Sequence, residues 1–271
     1  MAGDARVQRL LVLGSGYSGT TLLSMGLATS PEVLAAGEVP MCSSAHPDRD
    51  ACTCGATFGA CRLWSAVFEP GQSSKDAPTP LSTEHAIRRL RERAVAIEPQ
   101  LRWLIDSGKT AQDGLRAHLE LGSHDLRAIH LVRHPAAVAH SSLFRGDTLD
   151  AAVGRWVAVQ AATLAALEAA AIPSLRLRYE DLTADFAQGL QRVGTWLGVL
   201  GPFGERATPW RWQDADWSAR SHIMASNPRR FAGRPQHVAA EDGFRFALGP
   251  DVVADLVRRA GALGQELGYP D

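Results

Sequence analysis

Apolar residues fall along this chain in short blocks, each closed by a glycine or a polar cluster. Positions 9–13 (RLLVL) make a continuous apolar run that stops at Gly14, the pattern of a strand buried on both faces. A glycine-rich turn over 14–19 follows, and 20–28 has helical character until Ser30-Pro31 breaks it. Positions 33–39 return to an extended apolar piece ending around Gly37-Glu38, whereas 41–63 are irregular and 70–80 are polar and rich in breakers. An Arg-rich amphipathic helix is expected over 83–97, then a second core strand over 102–105 leading into Asp106-Ser107-Gly108-Lys109. Positions 128–132 (AIHLV) form a third strand, and the Pro of Arg133-His134-Pro135 suits the first residue of a helix. An Ala-rich helix over 149–171 precedes the alternating segment 174–179 (SLRLRY), which leads into Glu180-Asp181-Leu182, and a helix follows to about Leu197. Positions 201–246 read as loop, rich in Pro, Trp and Arg, and 251–267 as a last helix.

Strands alternating with helices imply a parallel sheet covered on both faces. The expected fold is therefore α/β, a P-loop-like three-layer arrangement with a central parallel β-sheet flanked by helices. No internal repeat or linker divides the 271 residues, so a single domain over 1–271 is expected. Open parallel sheets bind ligands at the carboxyl ends of their strands. The polar clusters at 14–21, 106–109, 133–141 and 179–181 all follow expected strands, so they should meet along one edge.

Composition narrows the partners. The 28 Lys+Arg nearly balance the 29 Asp+Glu, for a net charge of -1, which gives no global attraction to nucleic acid or an anionic membrane. No apolar run is long enough to span a bilayer, and the charged start lacks the features of a signal peptide. The expected location is cytoplasmic, and the bias to Ala, Arg and Gly suggests a bacterial source.

The segment Gly14-Ser15-Gly16-Tyr17-Ser18-Gly19-Thr20-Thr21 has the glycine spacing of a Walker A loop. Such a loop turns backbone N–H groups and a helix N-terminus toward a phosphate. A Walker A loop places Lys before the final Ser/Thr to reach the β- and γ-phosphates. Thr20 stands there instead, which weakens an ATP-type reading.

Tyr17-Ser18-Gly19-Thr20-Thr21-Leu22-Leu23 resembles the 5′-phosphosulfate loop of sulfotransferases that use 3′-phosphoadenosine 5′-phosphosulfate (PAPS). Leu131-Val132-Arg133-His134-Pro135 with Ser141 resembles the same family's second signature, in which the strand-end Arg and the helix Ser hold the 3′-phosphate. An arginine suits that task through bidentate, charge-assisted hydrogen bonds. RLRYEDL at 176–182 is similar to the family segment whose Tyr, here Tyr179, approaches the adenine. HIMASNPRRF at 222–231 is similar to a late loop of bacterial members that closes over the nucleotide, which implicates Asn227 and Arg230. Asp106-Ser107-Gly108-Lys109 resembles a further family segment. The resemblance spans about 9 to 231.

It implies PAPS as sulfuryl donor, PAP as product, and Gly16 to Thr21, Arg133, Ser141, Tyr179, Asn227 and Arg230 as donor-binding residues. Glu38, after Gly37, stands where tyrosylprotein-type relatives carry the general base. Partial burial of a carboxylate suits that role. The family's usual Lys or Arg is replaced by Tyr17, so Lys109 is expected to support the leaving phosphate. His222 is a second candidate base. The chemistry requires no metal. The acceptor is expected to be a hydroxyl on a sugar, a lipid-linked glycan or a natural product. A P-loop small-molecule kinase, which would need a loop cation and a Mg²⁺ ligand, and a non-catalytic nucleotide-binding module are the competing readings.

Cys42, Cys52, Cys54 and Cys61 crowd one window. Bacterial sulfotransferases often carry a similar cysteine stretch near the acceptor side. Reduced structural thiols are the first expectation, because the spacing does not match a common zinc ribbon and a reducing compartment disfavours disulfides. Zinc ligation is the alternative.

Overall fold

The computed structural model describes residues 7–68, 82–108, 114–199, 201, 220–225, 238 and 241–270. Six parallel strands form one sheet: β1 (Gln8–Leu13), β2 (Val33–Gly37), β3 (Trp103–Asp106), β4 (Leu126–Val132), β5 (Ser174–Arg178) and β6 (Ser221–Met224). Their spatial order is β5-β4-β1-β3-β2-β6.

Side chains alternate across a strand, and in β1 both directions are apolar. Leu10 and Val12 face one layer with Ile105, Ile129 and Leu131. That layer is completed by Leu23 and Leu27 of α1 (Thr20–Leu27) and by Leu190, Val193 and Leu197 of α7 (Phe186–Leu197). Leu11 and Leu13 face the other layer with Leu167 of α5 (Leu149–Ala170). Beside it, Leu34 and Leu104 pack on Ile87 and Leu90 of α2 (Thr83–Ile97). Burial on both faces is why these strands read as continuous apolar runs.

Helix starts follow capping chemistry. Ser82, Thr148 and Asp185 accept from His85, Ala151 and Gln188 N–H at the starts of α2, α5 and α7, at 3.2, 3.2 and 3.0 Å. The remaining helices are α3 (Arg116–Glu120), α4 (Pro135–Ser142), α6 (Tyr179–Ala184), α8 (Gly243–Leu248) and α9 (Pro250–Glu266).

Two elements lie in the stretch expected to be loop, β6 and α8. β6 is only four residues long, and its extended form comes from pairing with β2 at the sheet edge. No periodicity within four residues can announce that. The expected loop over 70–80 lies outside the described residues.

Candidate functional site

All six strands run the same way, so their carboxyl ends share one edge. After β3 the chain crosses to the far side of β1 to make β4. The crevice between β1 and β4 is thus a topological switch point, the usual ligand position in an open α/β sheet.

The 14–21 loop leaves β1 at that crevice. Ser15 and Ser18 hydroxyls meet at 2.8 Å, and Ser18 N–H donates to Ser15 C=O at 3.2 Å. Ser18 therefore spends its N–H closing the loop. Gly19 is the N-cap of α1 and its C=O accepts from Leu23 N–H at 3.0 Å, so the amino-terminal end of the helix faces the loop. Thr20 is buried, Thr21 half-buried, and Gly16 sits exposed at the crest. Tyr17 has φ 68°, unusual for a side chain with a Cβ. At Gly19, φ is +93° and an added Cβ would come within 2.5 Å of the Tyr179 ring, so only glycine fits.

Arg133 follows β4 directly. Its Nη1 donates to Tyr17 C=O at 2.9 Å, and its guanidinium lies over the Tyr179 ring at 4.4 Å, a cation–π distance. Nη2 pairs with Glu241 at 3.2 Å. Three segments that are far apart in sequence thus touch at one place: the loop, the end of β4 and the start of α6. Ser141 lies on α4, half-buried.

Several residues around Arg133 went unread in the sequence. Trp156 Nε1 donates to Arg133 C=O at 2.9 Å. Glu180 accepts from His134 N–H at 2.9 Å and from the Tyr269 hydroxyl at 2.7 Å. Arg145 stacks over the Tyr17 ring at 5.3 Å. Glu180 had a signal, as the neighbour of Tyr179; Tyr269 had none. Burial, then the positive charges of Arg245, Arg178 and Arg133, push His134 down to about 4. It is held neutral, with Nδ1 accepting from Ala136 N–H at 3.2 Å to cap α4.

Glu38 leaves the end of β2, two strands from β1 on the other side, or about 10 Å across the sheet. Its backbone is fixed from several directions. Glu38 N–H donates to Met224 C=O at 3.0 Å, and Glu38 C=O accepts from Met41 at 3.0 Å. The next N–H, Val39, donates to the buried Asp106 carboxylate at 3.1 Å. Asp106 also accepts from Gly108 N–H at 2.8 Å and meets His118 Nε2 at 3.1 Å. Asp106 therefore acts as a brace under Glu38. Lys109, Asn227 and Arg230 lie outside the described residues.

The sequence profile of the sulfotransferase family matches residues 9–200. The chain belongs to the sulfotransferase family. Among curated proteins, none matches. Among solved structures, the sulfotransferase domain of the Synechococcus PCC 7002 olefin synthase is similar, with TM-score 0.62 and 21% identity, covering 95% of each chain. The sulfotransferase domain from the curacin biosynthetic pathway is also similar, with TM-score 0.57 and 19% identity, covering 93% of this chain and 97% of that one. At these identities the likeness is one of fold.

In this sulfotransferase-family chain, His222 lies on β6, not in a loop, and it is fully buried. Its Nδ1 faces sulfur, with Cys61 Sγ at 3.2 Å and Cys52 Sγ at 3.9 Å. Contact with Cys52, then with His222, lowers the Cys61 pKa below the usual thiol range. The second candidate base thus keeps company with thiols. No helix among the described residues is long and apolar enough to cross a membrane.

Proposed function

We propose that the chain moves a sulfuryl group from PAPS to an acceptor hydroxyl and releases PAP. The observation that carries this is the joint contact of Tyr17, Gly19, Arg133 and Tyr179 at the β1/β4 switch point. It unites a phosphate-type loop, a phosphate-binding cation and an aromatic face. The glycine loop fits an anion: it closes on itself through Ser15 and Ser18 and leads into the end of α1, whose dipole favours negative charge.

In this reading the N–H groups from Gly19 to Thr21 hold the 5′-phosphosulfate and stabilise charge on its oxygens. Arg133, Ser141 and Arg230 take the 3′-phosphate. Glu241 is more than half exposed and holds Arg133 through a single contact, which a phosphate replaces with a bidentate one. Tyr179 lies against the adenine. Glu38 takes the proton of the acceptor hydroxyl as the new oxygen–sulfur bond forms and the sulfur–phosphate oxygen bond breaks. Lys109 supports the leaving phosphate, and Asn227 and Arg230 close over the nucleotide. Acceptor classes are a sugar, a lipid-linked glycan or a natural-product hydroxyl, in a cytoplasmic setting.

The test compares nucleotides by calorimetry and thermal unfolding. PAP should bind and raise the melting temperature by linkage, and ATP should do so far less. Arg133→Ala removes a charged hydrogen-bond pair, so PAP affinity should fall about 10- to 150-fold. Equal binding of ATP, or a folded Arg133→Ala protein with unchanged PAP affinity, would reject the reading.

A further inference from the structure

Cys52, Cys54, Cys61 and His222 bring four ligand atoms within 4.8 Å of one another, although His222 is 161 residues from Cys61. We propose that this cluster is a structural zinc site with three thiolates and His222 Nδ1 as ligands.

Four of the six ligand–ligand edges lie near those of a tetrahedron. Bonds of about 2.3 Å to sulfur and about 2.0–2.1 Å to nitrogen require sulfur–sulfur edges of about 3.8 Å and sulfur–nitrogen edges of about 3.6 Å. The Cys52–Cys61 and Cys54–Cys61 edges are 3.6 and 3.7 Å. The edges from Nδ1, 3.2 and 3.9 Å, bracket the required value. Four atoms converging on one point suit a single ion, and a sulfur-rich tetrahedral set with one imidazole selects zinc. All four positions are filled by protein, which makes the site structural.

The surroundings are built around the ligands. Cys52 N–H donates to Ala56 C=O at 2.8 Å and Gly55 N–H to Cys52 C=O at 3.0 Å, which folds 52–56 into a tight knuckle. Thr53, between two of the cysteines, uses one hydroxyl to donate to Ser221 C=O at 2.5 Å and to accept from Ile223 N–H at 2.9 Å. These groups flank His222 on the sheet edge. Trp64 Nε1 donates to His222 C=O at 2.6 Å. The backbone around His222 is therefore held on both sides while its ring points at the sulfurs. Three thiolates and Zn²⁺ carry one net negative charge, and Arg62 stands 3.4 Å from the other ring nitrogen. Arg62 Nε–H donates to that nitrogen here; with Nδ1 on the ion, Nε2 would carry the ring proton and this weak contact would be given up, while Arg62 keeps its pairing with Glu98. The thiol protons leave to solvent. The site thereby ties β6 to the 52–64 segment, and β6 in turn holds the Glu38 backbone through Met224.

Metal analysis of the full chain, purified under reducing conditions from zinc-containing medium, should give about one zinc per chain. Cobalt added to chelator-stripped protein should give the visible and thiolate charge-transfer bands of tetrahedral sulfur ligation. Chelator should lower the melting temperature and zinc should restore it. Cys61→Ser and His222→Gln should lose the metal, while Cys42→Ala should keep it. If those variants do not fold, zinc content and the cobalt spectrum of the unaltered chain still decide. Metal-free protein that takes up no cobalt would overturn the proposal. So would a Cys52–Cys61 or Cys54–Cys61 disulfide found by mass spectrometry in protein purified without oxidant. PAP binding is measured separately, so failure here leaves the donor assignment unaffected.

Discussion

Glu38 and His134 show how a single side chain is set by what surrounds it. If Glu38 is the base, Glu38→Gln keeps its shape and removes its basicity. Turnover should then fall about 10²- to 10⁴-fold with PAP affinity nearly constant. Loss of PAP binding as well would make Glu38 a structural residue, and unchanged turnover would send the search to another base. His134 yields a pH prediction with a definite sign. Its folded pKa of about 4 lies below its ordinary 6.5, so the unfolded chain binds the extra proton. The contribution is complete above about pH 6.5 and is lost as pH falls toward about 4. Buried His130, also lowered by burial, acts in the same direction. His134→Asn keeps an N-cap acceptor and removes the titration. Melting temperature measured against pH should lose part of its acid slope, and an unchanged slope would refute the assignment.

At the scale of elements, the junction of β2 and β6 carries the most consequence. Gly37 has φ +85°, and an added Cβ would lie 2.5 Å from Met224 N. The register between the two strands shifts there too. Gly37→Ala should cost at least about 1–3 kcal/mol from the left-handed backbone alone. Glu38 should be displaced with it, so thermal unfolding and turnover should both decline. An Ala variant as stable as the parent would mean that the junction relaxes freely. Little of this was legible beforehand. The runs of β1, β3 and β4 announced themselves because both their faces are buried, and β5 did so by alternation, since it is only partly covered. β6 did not, since its partners, Thr53, Trp64 and β2, come from distant parts of the chain.

The whole molecule is pinned at the amino-terminal edge of the sheet by an arginine inside an apolar strand. Arg9 is completely buried and pairs with Asp125 at 2.5 Å, while Arg91 of α2 reaches the same carboxylate at 2.5 Å. Arg9 also donates to His118 C=O at 2.6 Å. That contact links this edge to α3, whose His118 meets Asp106 beneath Glu38. Asp125→Ala would leave a buried guanidinium without its counter-charge, which costs about 3–5 kcal/mol. Chemical denaturation should show that loss, and a change below about 1 kcal/mol would mean that the carbonyl partners suffice.

The sequence by itself determined the parallel α/β sheet, the strand-end positions of the 14–21 loop, Arg133, Tyr179 and Glu38, and the family they resemble. Those features are written in local periodicity and short motifs, where a few neighbouring residues carry the whole signal. Only the tertiary structure decided which clusters touch. Strand order set Arg133 against Tyr17 and Tyr179 on one side of β1 and placed Glu38 two strands away on the other. Pairing at the sheet edge turned His222 from a loop residue into a buried partner of Cys52 and Cys61. Contacts of this kind span up to 170 residues, and they arise from strand pairing and packing, which no local pattern in the chain records.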